Sequence, residues 1–152
     1  MKRVVFLTLI LVALTSSLWI LFYKFEGKEP IVNIELPSVY LKKSYEMALN
    51  INDQKTGLRK IVVSLMQQGK EKVLLEKQYK SAGFMGLWSD SKMVKDAFII
   101  PIQSWKYGMK DGEAIIRIMA SDYSWRGINK GNITYIEKKV IIDSKPPKVN
   151  IL

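Results

Sequence analysis

The sequence predicts an all-β domain, an antiparallel β-sandwich of about seven strands, preceded by one transmembrane helix. Three observations carry this. From Pro30 onward, short runs alternate apolar and polar residues, as half-buried strands do. Turn-forming residues separate these runs roughly every 8–12 positions, and no long helical period interrupts them. Ahead of them lies an uncharged apolar stretch, Val4 to Tyr23, of a length that spans a bilayer.

That stretch reads as a helix because its few polar residues, Thr8, Thr15, Ser16 and Ser17, have hydroxyls that bond back to helix carbonyls. At about 1.5 Å per residue it reaches roughly 30 Å, the thickness of a hydrocarbon core. Trp19, Phe22 and Tyr23 suit the far interface, and Lys2 and Arg3 hold the N-terminus in the cytoplasm. A cleaved signal peptide is the competing reading, with Ala13-Leu14-Thr15 or Thr15-Ser16-Ser17 before the cut. The apolar run continues through Leu18 to Phe22 past both, which favours an uncleaved anchor. The expected layout is a signal anchor at 1–24, a polar linker at 25–29, a sandwich at 30–146, and the start of a second module at 147–152.

Each strand is then read in order. Val32, Ile34 and Leu36 alternate with Asn33 and Glu35, and Pro37-Ser38 ends the run. Tyr45, Met47, Leu49 and Ile51 give a cleaner period of two. Asp53 to Gly57 is a turn, with Gly57 free to take a positive φ and Asp53 able to accept from nearby amides. Ile61, Val63 and Leu65 share the next strand face, Gln67 to Lys70 turns the chain, and Val73-Leu74-Leu75 returns it. A short helix over Glu71 to Lys80 also fits that return, though strand fits better.

Ser81 to Lys95 has no sustained period and holds Phe84 and Trp88, either packed over the sandwich edge or exposed for recognition. Packing is the commoner fate of such side chains. Ala97 to Ile102 is a strand that Pro101 either confines to a sheet edge or brings to its end, and Gln103 to Lys110 has room for one helical turn. Ala114, Ile116, Ile118 and Ala120 make the strongest strand signal, with the small alanines allowing close approach between sheets. Asn132 to Ile142 closes the domain, with Ile133, Tyr135, Val140 and Ile142 expected inward.

Composition excludes much chemistry. The 152 residues contain no Cys and no His, which removes disulfides, the commonest zinc ligand and the commonest general base. Gly83 to Gly86 lacks the ending of a phosphate loop, and no Ser has a His partner. No catalytic residue, cofactor site or metal site is therefore assigned. A calcium site from Asp111, Asp122 and Asp143 with Asn129 or Asn132 is the one alternative, and turn capping accounts for the same residues. The net charge of +10 is spread along the chain, as on a solvated surface with weak attraction for anionic headgroups, wall polymers or nucleic acid.

Three local patterns resemble bacterial extracellular immunoglobulin-like modules. They are Pro30-Ile31-Val32-Asn33-Ile34, then Asn52-Asp53 with Thr56-Gly57-Leu58 and Ile61-Val62-Val63, and finally Ala120-Ser121-Asp122 with Gly131-Asn132 and Asp143-Ser144-Lys145-Pro146-Pro147. Trp125-Arg126 departs from that pattern, where a small residue is usual. The anchor, the domain and the run Asp122-Tyr123-Ser124-Trp125-Arg126 together resemble the N-terminal region of lysostaphin/LytM-type zinc metallopeptidases, which cut peptidoglycan cross-links. Pro147-Lys148-Val149-Asn150-Ile151 nearly repeats the opening of the first module.

The resemblance implies a single-pass protein of the bacterial inner membrane with its domain in the periplasm, attached to the membrane through residues 4–23. It further implies a role in positioning a murein endopeptidase. Without His these residues hold no such zinc site, so the catalytic domain is expected after Leu152. The alternative is a standalone envelope adhesin or assembly protein. Phe84, Trp88, Trp125 and Arg126 are the candidate contact residues, with peptidoglycan or an envelope protein as partner. A nucleic-acid partner is set aside, because the anchor places the basic surface outside the cytoplasm.

Overall fold

The computed structural model describes residues 1–25, 27–42, 45–81 and 92–144, with the backbone alone for Ile128 and Asn129. It consists of an N-terminal apolar helix and a mostly-β domain of eight strands in two sheets. The helix, α1 (Lys2–Lys24), is long and apolar enough to cross a membrane, and no part of its apolar length is buried by the protein. Thr8 and Thr15 donate to the carbonyls of Val4 and Leu11, as the sequence predicts.

The strands are β1 (Ile31–Glu35), β2 (Tyr40–Leu41), β3 (Tyr45–Asn52), β4 (Leu58–Gln67), β5 (Lys70–Gln78), β6 (Lys95–Ile102), β7 (Gly112–Asp122) and β8 (Ile133–Ile142). A 3-10 turn at Ser104–Tyr107 fills the gap before β7, and a short helix, α2 (Arg126–Asn129), lies in the loop between β7 and β8. One sheet has the order β1-β3-β6. The other, β2-β8-β7-β4-β5, curls as a half-barrel. All pairings are antiparallel except that of β2 with β8. The sequence reading missed β2 because two residues carry no periodicity.

The core follows from strand parity. Met47, Leu49 and Ile51 of β3 meet Ile61, Val63 and Leu65 of β4 and Ile116 and Ile118 of β7, all fully buried. Ala114 and Ala120 bracket that β7 row, as expected. Burying each such aliphatic side chain stabilises the fold by about 1.5–3 kcal/mol. Gln68 and Gly69, at φ 48° and 79°, close the β4–β5 hairpin as a two-residue turn of primed type. Pro101 lies on β6, an edge strand, as its missing N–H requires. Along the other side, Asp96 ties β6 to Tyr79 and Lys77, whose hydroxyl and ammonium donate to Oδ2 at 2.6 Å and 2.8 Å.

The expectation for β8 requires correction. Val140 and Ile142 point inward, but Ile133 and Tyr135 are exposed. Residues of odd and even number cannot share one face of a regular strand, and β8 pairs with β7 without a bulge over its whole length. The even-numbered residues, set by Val140 and Ile142, take the core. Tyr135 stays outside, where its hydroxyl donates to Glu137 and its ring faces the Arg117 guanidinium.

Candidate functional site at the foot of the helix

The turn at 53–57, the start of β6, the β7–β8 loop and the linker all gather at the end of the β domain that meets α1. Asp122 organises the loop. Its Oδ1 accepts from the amides of Ser124 at 2.9 Å and Asn132 at 2.7 Å, and its Oδ2 from the Asn132 side chain at 2.8 Å. One buried carboxylate thus holds both ends of a ten-residue excursion. Gly131 is required there. It sits at φ 82°, and a Cβ would stand 2.2 Å from the Asp122 carbonyl oxygen.

The same loop straps the linker down. The Asn132 side chain also donates to the Lys28 carbonyl at 3.0 Å, and Thr134 Oγ1 donates to the Pro30 carbonyl. Trp125 is thereby held beneath the helix end. Its amide donates to the Lys24 carbonyl at 2.9 Å, and its ring meets Phe25 edge-on at 6.1 Å. Arg126 is exposed, with its guanidinium over Gly27.

From the opposite side come two lysines. Lys55 donates to the Phe22 carbonyl at 3.3 Å and lies 5.1 Å from the Phe22 ring centre. Tyr23 donates its hydroxyl hydrogen to the Lys55 carbonyl at 2.8 Å. Lys92 donates to the Tyr23 hydroxyl at 3.1 Å and to the Lys55 carbonyl. Cations and N–H donors here meet the open carbonyls at the negative end of the helix dipole, where positive charge is stabilising. The result is a clasp that joins the helix to the β domain through several directed contacts.

Asp53 sits behind the clasp, 2% exposed. Burial raises its pKa above the ordinary carboxylate value, and the neighbouring Asp122 carboxylate adds to the effect. The bond that its Oδ2 accepts from the Gly57 amide pulls the other way without overcoming burial. Gly57, at φ 88°, has the positive φ expected of it.

Of the sequence-predicted contact residues, the structure brings Trp125 and Arg126 to this foot. Phe84 and Trp88 lie outside the described residues. Lys55 and Lys92 were not anticipated, and Tyr23 was read only as an interfacial aromatic, since the three converge from distant positions. Trp105, half exposed beneath the Lys106 ammonium, lies at the opposite end and was likewise not singled out.

The calcium arrangement is taken apart by the fold. Asp111 and Asp122 stand at the two ends of β7, whose eleven residues span roughly 35 Å. Asp111 accepts from the amide and hydroxyl of Ser144, while Asp122 caps the far loop. No group of three or more His, Cys, Asp or Glu able to hold a metal ion occurs among the described residues.

No protein-family profile matches the sequence, and no curated protein matches it. Among solved structures the chain has a distant likeness to a β-glucosidase from Listeria innocua in complex with glucose. The TM-score is 0.41 and the identity 10%, over 74% of this chain and 16% of that one.

Proposed function

We propose that the chain is a non-catalytic, membrane-tethered extracytoplasmic module whose immunoglobulin-like sandwich spaces and positions a C-terminal murein endopeptidase. One observation carries the spacer reading. The clasp holds α1 at one end of the sandwich, and β8 runs ten residues away from it, so Ser144 lies at the other end. At strand rise that separation is roughly 33 Å. A segment continuing from Ser144 would start up to that far from the foot of the helix.

Strand order supports the immunoglobulin-like reading. With β1, β3 and β6 as strands A, B and E, and β4, β7 and β8 as C, F and G, the sheets read A-B-E and G-F-C, with β5 as C′. A strand D has no counterpart among the described residues. The endopeptidase itself rests on the sequence resemblance at Asp122 to Arg126, so the gene beyond the codon for Leu152 tests it. A following His-x-x-x-Asp and His-x-His would support the hydrolase, and a stop codon there would remove it.

The anchor reading takes α1 as uncleaved, with its N-terminus in the cytoplasm. The clasp supports this, because cleavage near Leu18 would leave Phe22 and Tyr23 on a helical fragment of about two turns, too short to hold as a helix by itself. N-terminal sequencing of membrane-fraction protein should return Met1 or Lys2, and a start near Leu18 would overturn it. A standalone adhesin or assembly protein is the second reading. It is favoured by a cleft of about 520 Å³ on the half-barrel, lined in part by Val39, Met66, Ile115 and Ile141. Contact with peptidoglycan or an envelope protein is proposed for the end away from the membrane, where Trp105 is exposed.

A further inference from the structure

The clasp leaves a cleft open beside it. Gly27 and Lys28 of the linker face Gln54 and Lys55 of the turn around about 390 Å³, within the size of small-molecule sites. Gly27 has no side chain to fill the space. The Arg126 guanidinium lies over it, with Nη2 3.4 Å from where a Cβ would stand. Lys92 reaches the same turn through the Lys55 carbonyl.

Among the described residues, Lys28, Lys55 and Arg126 form no ion pair, whereas the Lys92 charge acts on the Asp53 carboxylate. The ion pairs among the described residues, Lys60–Glu76, Lys77–Asp96, Arg117–Glu71 and Arg117–Glu137, are all made by other cations on the strands. Asp53 is buried behind the turn and occupied by the Gly57 amide, and Glu29 is exposed on the linker. Lys28, Lys55 and Arg126 therefore bring positive charge to an open space with no ion-pair partner among the described residues.

Height decides the partner. The cleft adjoins the last turn of α1, where the Trp19 and Tyr23 rings stack at 6.0 Å, and such aromatics mark the headgroup level of a spanning helix. We infer that the cleft between the linker and the 53–57 turn holds the phosphodiester of an anionic phospholipid in the leaflet that the domain faces. Lys28, Lys55 and Arg126 supply charge-assisted hydrogen bonds to its oxygens. This site rests on the reading of α1 as an uncleaved span.

The test uses the full chain in nanodiscs of phosphatidylcholine with a minor share of phosphatidylglycerol, released and weighed by native mass spectrometry. The protein should retain phosphatidylglycerol in preference, and the preference should fall about fivefold for each cation removed in Lys28→Gln/Lys55→Gln/Arg126→Gln. Because Lys55 also caps the helix, Lys28→Gln/Arg126→Gln is measured beside it, and Lys28→Arg should keep the preference. Added inorganic phosphate should leave the retained lipid unchanged. Equal retention by the variants, or displacement by free phosphate, would overturn the lipid site while leaving the span intact. A chain that never enters the discs would overturn the span and the site with it.

Discussion

The Tyr23 hydroxyl donates to the Lys55 carbonyl at 2.8 Å, joining the last turn of an apolar helix to a turn 32 positions further along the chain. Lys92 completes the contact by donating to both oxygens. Tyr23→Phe keeps the ring stacked on Trp19 but removes this bond and leaves Lys92 one acceptor fewer. The expected cost is about 0.5–1.5 kcal/mol by urea unfolding in detergent, with faster hydrogen exchange confined to the 53–57 turn. Unchanged exchange there would mean that the helix and the domain are not coupled through Tyr23.

Gly131→Ala addresses the loop that places Trp125. The new Cβ meets the Asp122 carbonyl oxygen and a left-handed backbone together, so the loss should exceed about 2 kcal/mol. Gly69→Ala provides the comparison. It has the same sign of φ with nothing within 4 Å, and should cost about 1–2 kcal/mol.

Ile116→Ala removes a fully buried side chain at the centre of β7 and should cost about 2–5 kcal/mol in the same assay. A loss below about 0.5 kcal/mol would place that face at the surface, against the parity derived for the core.

Much of this fold was legible because alternation is local. Tyr45 to Ile51 and Ala114 to Ala120 announce their inward faces without reference to any partner strand. β8 was less legible because Ile133, Tyr135, Ile136, Val140 and Ile142 offer apolar residues on both faces, and only register against β7 decides between them. At the site, Trp125 and Arg126 stood out as unusual residues in a turn. The clasp itself did not, since Tyr23, Lys55 and Lys92 are ordinary residues made special by tertiary approach.

Asp53 gives a pH signature. Burial first, and the Asp122 carboxylate second, hold its proton to higher pH than in the unfolded chain. Its contribution to stability is therefore greatest below the ordinary carboxylate pKa of about 4 and declines as pH rises through the raised folded value. Asp53→Asn keeps an oxygen to accept from Gly57 and loses the charge. Its stability relative to the parent should increase across that window and level off above it, as followed by melts at several pH values.

The spacer geometry is tested most directly by two single-cysteine variants, Gln54→Cys and Ser144→Cys. The parent has no Cys, so each takes one fluorophore for energy transfer to a headgroup-labelled bilayer. The label at position 54 should transfer strongly. The label at position 144 should transfer weakly, as expected for a site roughly 33 Å further out along β8. Equal transfer from the two positions would contradict a β domain that stands on its helix and holds its far end away from the membrane.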